Sequence, residues 1–207
     1  MGKPWQVCFE LGWKSFVKGS IPIGAVVVNE TGEIISQGRS LQYEKEGENG
    51  YVFHHKLSHA ELNALLQVSE FDHPNIRNYT LYTTTEPCPL CFGALVMANV
   101  RNLKFAARDR YAGSTDLNNI SRYISSKNIK IEGPFSELEK VQITIQTTYE
   151  LIRNDGAARL LNVMKVDCPN SVELGVKLFE EKTLQKLRDK KMAVSEVFNH
   201  IAKLQNI

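Results

Sequence analysis

Two short stretches of this chain carry the side chains needed to activate water. His59-Ala60-Glu61 and Glu86-Pro87-Cys88-Pro89-Leu90-Cys91 bring one imidazole, two thiols and a carboxylate. Zinc takes four ligands, and a catalytic site leaves one position to water. His59, Cys88 and Cys91 supply the other three. Cys88 and Cys91 are three apart, which puts them on one face of a helix's first turn. Pro89 suits the first helical position, where a missing N–H costs nothing. At a helix N-terminus the macrodipole favours thiolate. A neutral imidazole and two thiolates around a divalent cation make a nearly neutral centre. Such a centre polarises water but still needs a base to take the proton. Glu61 is the candidate base: near a first turn, residues two apart can both reach over the helix end.

Each motif alone has a plainer reading. Ser58-His59-Ala60-Glu61 is also a capping box opening a helix through Leu62, Leu65 and Leu66. Cys88-x-x-Cys91 alone could be a redox dithiol or half of a structural zinc site. The first would want a thioredoxin-like βαβ context, the second a fourth protein ligand. The two motifs together, each at an expected helix start, favour a catalytic zinc ion. His54 and His55 just precede the first motif and are read as exposed loop residues.

An H-x-E followed by P-C-x-x-C is the signature of the zinc nucleobase deaminases. On those residues the chain resembles the cytidine/deoxycytidylate deaminase superfamily. With Pro22-Ile23-Gly24-Ala25-Val26-Val27 and Phe105-Ala106-Ala107-Arg108-Asp109 added, it is similar to the tRNA adenosine and guanine deaminase branch, over Trp5 to Thr115. The resemblance implies that Glu61 is not a ligand but moves a proton from water to a ring nitrogen and then to departing ammonia. It also implies a homodimer. Glu86 and Pro87 are expected to line the pocket with backbone groups. Asp109 and Tyr111, on a following loop, are candidates for substrate contact; Asp109 also reads as a turn or cap residue. The chain departs from the branch at Ser40, where members commonly carry an Asn that contacts the base. A hydroxyl offers one hydrogen bond, not the paired pattern of an amide. The Ser40-to-His59 segment is also longer than in the tRNA enzymes.

The elements that would position these groups follow from periodicity. Trp5, Cys8, Phe9, Gly12, Trp13 and Phe16 have helical spacing. Ile21–Val28 and Glu33–Gly38 flank an Asn/Gly turn and predict a hairpin. Residues 40–56 predict a polar surface loop with Glu44, Lys45, Glu46, Glu48 and Asn49-Gly50. Tyr79–Thr84 and Leu103–Ala107 predict strands, and Ile129–Ile131 a fifth. The helix from Pro89 is apolar nearly all round and should be buried. Strands alternating with helices predict a three-layer α/β/α sandwich around a mixed five-stranded sheet. The expected division is a zinc catalytic domain at 1–132 and a helical extension at 133–207. In that extension, Leu138–Ile152 is read as a helix over a competing strand pattern, stopped at Asn154-Asp155-Gly156. Val172, Val176 and Phe179, and then Val194, Val197, Phe198, Ile201 and Leu204, form further stripes. Two such stripes exceed what a small sheet covers, a second ground for a dimer.

The 207 residues hold 43% hydrophobic side chains and carry a net charge of +2. No apolar run reaches the roughly 20 residues of a membrane span, and no signal-peptide pattern opens the chain. The four cysteines fit a reducing cytoplasm, with Cys8 and Cys168 packed as small hydrophobes. The charge supplies no strong field toward nucleic acid. Three function classes compete: a deaminase of a free nucleobase, nucleoside or nucleotide; a tRNA adenosine deaminase; and a non-catalytic zinc-binding subunit. Glu61 speaks against the third. Ser40, the near-neutral charge and the acidic 40–56 loop favour a small-molecule substrate over tRNA. The basic run Lys182, Lys186, Arg188, Lys190 and Lys191 keeps tRNA in play.

Overall fold

The structure is a computed structural model and describes residues 1–207 except 48, 49 and 156. A helix, α1 (Lys3–Val17), leads into the hairpin β1 (Gly24–Val28) and β2 (Ile34–Arg39). Asn29 shapes the hairpin turn, its Oδ1 accepting from the backbone N–H groups of Thr31 and Glu33. The sheet continues with α2 (Ala60–Leu65), β3 (Thr80–Thr85), α3 (Pro89–Met97), β4 (Asn102–Ala107), two single-turn helices α4 (Leu117–Ile120) and α5 (Arg122–Ser125), and β5 (Lys130–Glu132). Five helices follow: α6 (Ser136–Arg153), α7 (Ala157–Asp167), α8 (Pro169–Glu180), α9 (Thr183–Asp189) and α10 (Val194–Leu204).

The sheet is mixed and five-stranded, in the order β2-β1-β3-β4-β5. β1 is antiparallel to both neighbours, while β3, β4 and β5 run parallel. Parallel strands need crossovers, and α3 supplies the one between β3 and β4. The β3 and β4 carboxyl ends therefore point the same way, the place where open α/β sheets gather ligands.

One face of the sheet carries α2 and α3. There Ala25, Val27, Leu81, Leu103 and Phe105 bury against Ala64, Phe92, Leu95 and Val96. Two glycines permit the close approach of helices: a Cβ on Gly38 would strike the backbone of Ala60 and Ala64, and one on Gly24 the carbonyl of Cys8. The opposite face carries α1, on β1 and β3, and α6, on β3 and β4. Phe9, Trp13 and Phe16 of α1 share a core with Val141, Ile145 and Tyr149 of α6 and with Leu178, Leu184, Val197 and Ile201. Thus the architecture is the expected α/β/α sandwich with a helical C-terminal part.

Three expectations change. Residues 40–56 are not simply a surface loop: Ser40, Leu41 and Glu44 are buried, and Arg39 pairs with the Glu44 carboxylate through both guanidinium nitrogens. Both partners are buried, so Glu44 is withdrawn from the acidic surface. Glu48 and Asn49 lie outside the described residues. Second, α3 is not buried all round, because Met97 is 69% exposed. Third, the Val194-Val197-Ile201 stripe is spent inside the chain, on α1, and so gives no ground for a dimer. The Leu138–Ile152 stretch is a helix as read, and Asn154 ends it in a left-handed conformation at φ 54°; Gly156 lies outside the described residues.

Candidate active site

His59 and Cys88 are both N-cap residues, of α2 and α3 respectively, with extended backbones. Pro89 occupies the first turn of α3, as expected. Because a cap residue points off the helix axis, His59 and Glu61 reach the same space although only two apart. His59 Nδ1 lies 3.5 Å from Cys88 Sγ and 3.4 Å from Cys91 Sγ. All three ligand atoms fall within 4.8 Å of one another. Zn–S bonds of about 2.3 Å and Zn–N bonds of about 2.0–2.1 Å make the N···S edge of a tetrahedron about 3.5 Å long. The trio therefore fits zinc. The Lys56 backbone also hydrogen-bonds His59, the kind of partner that fixes a ligating ring.

Electrostatics agree with that assignment. Hydrogen bonding from Cys91, reinforced by His59 and opposed by burial, brings the Cys88 thiol down to about 4. The same pairing, with burial, pushes Cys91 well above the usual thiol range. The hydrogen bond between the two thiols thus favours thiolate at Cys88, and a divalent cation would favour it at both.

Glu61 is 3% exposed. Its Oε1 accepts from Thr83 Oγ1 at 3.0 Å, and its Oε2 accepts from the Cys91 thiol at 3.4 Å. Burial raises its carboxyl above the ordinary range, with His59 pulling the other way. The capping box is not formed. Helix α2 starts at Ala60, so Glu61 is its second residue, and no side chain caps the helix. Ser58 instead donates to the carbonyl of Val52. Asn63 ties the surrounding segments together: its Oδ1 accepts from Val52 N–H and its Nδ2 donates to the Arg39 and Val52 carbonyls.

The trio opens into a cavity of about 580 Å³ lined by Ser40, Glu61, Glu86, Asp109 and Tyr111 among others. Ser40 is 2% exposed and its hydroxyl has no partner among the described residues. The other tentative contacts differ. The Glu86 carboxylate is occupied by the 109–115 loop, accepting from the backbone of Asp109 and from the backbone and hydroxyl of Thr115. Asp109 Oδ1 accepts from the N–H groups of Tyr111 and Ala112, which realises the turn reading. Burial raises the Asp109 carboxyl, and those two N–H groups oppose the rise. Pro87 is buried behind the site, its carbonyl holding Ser114. Tyr111 is half-exposed at the rim beneath Arg159. Neither His54 nor His55 lines the cavity.

Sequence reading missed two parts of the site. One is Thr83, which orients Glu61. The other is the cavity wall made by α6 and α7, which includes Ile143, Gln146, Glu150, Arg153 and Met164. The available signal was polar residues set into an apolar helix: Gln142, Thr144, Thr147, Thr148 and Glu150 are all buried. Gln142 donates to the Pro22 carbonyl and to Thr85, which pins α6 to the strand ends.

Comparison with known proteins decides the family. The profile of the cytidine and deoxycytidylate deaminase zinc-binding region matches residues 3–107. The chain belongs to that family. A tRNA-specific adenosine deaminase of Haemophilus influenzae is 34% identical over 117 residues, covering 54% of this chain and 61% of that protein. A cytosine deaminase of Candida albicans is 25% identical over 115 residues, covering 56% of this chain and 71% of that protein. The structure of a guanine deaminase from Nitrosomonas europaea superposes with a TM-score of 0.51 at 21% identity, over 72% of this chain and 83% of that one; it shows the shared fold. Since the family region ends at Ala107, the α6–α7 wall of the cavity lies wholly outside it.

Proposed function

We propose that this family member is a hydrolytic deaminase. It releases ammonia from the exocyclic amine of a free nucleobase, nucleoside or nucleotide, in a cytoplasmic setting. The observation that carries the reading is Glu61. It is a buried carboxylate beside Cys91, facing a cavity and making no capping bond. His59, Cys88 and Cys91 would hold zinc, which when bound polarises a water molecule. Glu61 would carry both protons of the attacking water, the first to the ring nitrogen as the oxygen bonds the amine-bearing carbon, the second to the amine as the C–N bond breaks and ammonia leaves. Thr83 holds Oε1, which leaves Oε2 on the side of Cys91 and the metal trio. The Ser40 hydroxyl supplies a hydrogen bond to the ring, and Tyr111 packs at the rim. The backbone of the Glu86 loop shapes the floor, and Asp109 shapes that loop rather than touching substrate.

A second reading, a tRNA-specific adenosine deaminase, is favoured by the name of the Haemophilus relative. It requires a basic rim; exposed Lys56, Arg108 and Arg110 line the cavity, whereas no residue of the basic run 182–191 does. A non-catalytic subunit would have no use for Glu61. The experiment is ammonia release from cytosine, guanine, adenine, their nucleosides and nucleotides, and an adenosine-bearing tRNA stem-loop, on protein of measured zinc content. Salt-sensitive turnover of the stem-loop alone would promote the tRNA reading. The homodimer is proposed on resemblance alone. A light-scattering mass matching 23.4 kDa at all micromolar concentrations overturns it.

A further inference from the structure

The cavity wall opposite the metal trio carries chemistry that the proton transfers do not use. Glu150 of α6 is 4% exposed, yet it lines the cavity. Among the described residues it forms no ion pair within 4.0 Å. One turn earlier, the Gln146 amide hydrogen-bonds it and lines the same cavity, which leaves the carboxylate with room for further donors. The nearby cation, Arg153, is engaged elsewhere: it donates to Asp155 at 2.7 Å and lies over the Tyr43 ring at 4.3 Å. Burial pushes the Glu150 carboxyl up, Arg153 pulls it down, and Asp155 and Asp109 oppose Arg153. A carboxylate brought so far from water at this cost in hydration needs donors. In the same lining, the buried hydroxyl of Ser40 also lacks a partner among the described residues. The other cations of the lining are not inside it. Arg110 is held by Asp167, and Lys56 and Arg108 are exposed.

We infer that Glu150, with Gln146, is the specificity-determining pair of this site. It accepts N–H or O–H donors from the part of the substrate remote from the scissile amine, and it selects an uncharged base or nucleoside over its phosphorylated form. The inference rests on the deaminase reading and narrows its substrate class. An interior carboxylate repels a phosphate seated beside it, and Arg153, the cation that acts on Glu150, is already paired with Asp155. A neutral ring or ribose presents donors that satisfy both the carboxylate and the Gln146 amide oxygen.

The test is direct binding, by calorimetry on zinc-loaded protein, of cytosine, guanine, adenine, their nucleosides and the 5′-monophosphates. The wild type should bind at least one uncharged member about tenfold or more tighter than the corresponding monophosphate. Glu150→Gln keeps the shape and removes the charge. It should weaken that ligand about tenfold, as expected when a charge-assisted hydrogen bond becomes a neutral one, and should narrow the gap to the monophosphate. Gln146→Ala should weaken the same ligand with a smaller change in that gap. Zinc content and melting midpoint, measured on each variant, separate lost recognition from lost folding. Equal affinity of wild type and Glu150→Gln for every uncharged ligand overturns the inference. So does tighter binding of a monophosphate by the wild type, or binding of no uncharged ligand at all. If the uncharged ligand binds and Glu150→Gln weakens it, but no ammonia appears, the deaminase reading fails and the recognition role of Glu150 stands.

Discussion

The two walls of the cavity are built on different principles. On the metal side, His59 and Cys88 sit at helix caps and Cys91 one turn in. Their positions are fixed by backbone geometry and by a sheet packed on both faces. On the opposite side, α6 and α7 present ordinary helix-interior residues such as Ile143, Gln146, Glu150 and Met164. The first wall tolerates almost no substitution, because ligand geometry and cap geometry coincide. The second can exchange side chains while the helix stays in place. On the proposed reading, reaction chemistry belongs to the metal wall, and the helical wall adds to the substrate choice made at Ser40.

That contrast can be broken by substitution, beginning where the effect is largest. Cys91→Ala removes a ligand from the trio; metal analysis should show most zinc gone and turnover with it. Retained stoichiometry would mean that the metal wall is not what its geometry says. Glu61→Ala should keep zinc and fold while turnover falls on the order of a hundredfold to ten-thousandfold, the range for a lost general acid/base. A variant that instead loses stability at unchanged rate per folded molecule would return Glu61 to a structural role. Glu44→Ala leaves the buried Arg39 unpaired, and breaking such a pair costs about 3–5 kcal/mol. Urea unfolding should show that loss, and a change well below 1 kcal/mol would mean the 40–58 segment is held by other contacts. Arg110→Ala removes an ion pair at the exposed rim of the helical wall. Its melting midpoint should match the wild type within error, since exposed pairs contribute little.

The same contrast explains what the sequence disclosed. His59, Cys88 and Cys91 were legible because metal ligation demands particular residue types at particular spacings, and Glu61 because a carboxylate stands two residues from that imidazole. The strands were legible because β-rich runs such as Ala25–Val28 and Leu103–Ala107 sit between turn residues. Glu150 and Gln146 were not, since one polar residue on a helix looks the same whether it meets water or a cavity. The burial of Glu44 was equally hidden: its partner Arg39 is five residues away, and only the path of the intervening loop brings them together. Thr83 reads as a β-former on a strand, and its bond to Glu61 depends on how α2 crosses β3.

The contact between α1 and α10 has a consequence for how the molecule comes to be. Trp13 Nε1 donates to the carbonyl of Met192 across 179 residues, and the Phe9 and Phe198 rings meet edge to face at 5.2 Å. The apolar stripe of α1 is thus completed by residues made some 180 positions later in the chain. Contacts of such long separation slow folding. During synthesis, Phe9, Trp13 and Phe16 remain uncovered long after the metal ligands have left the ribosome. In that interval the nascent chain can gather its zinc-binding half but cannot close its own back layer, and it is there that a chaperone has something to hold.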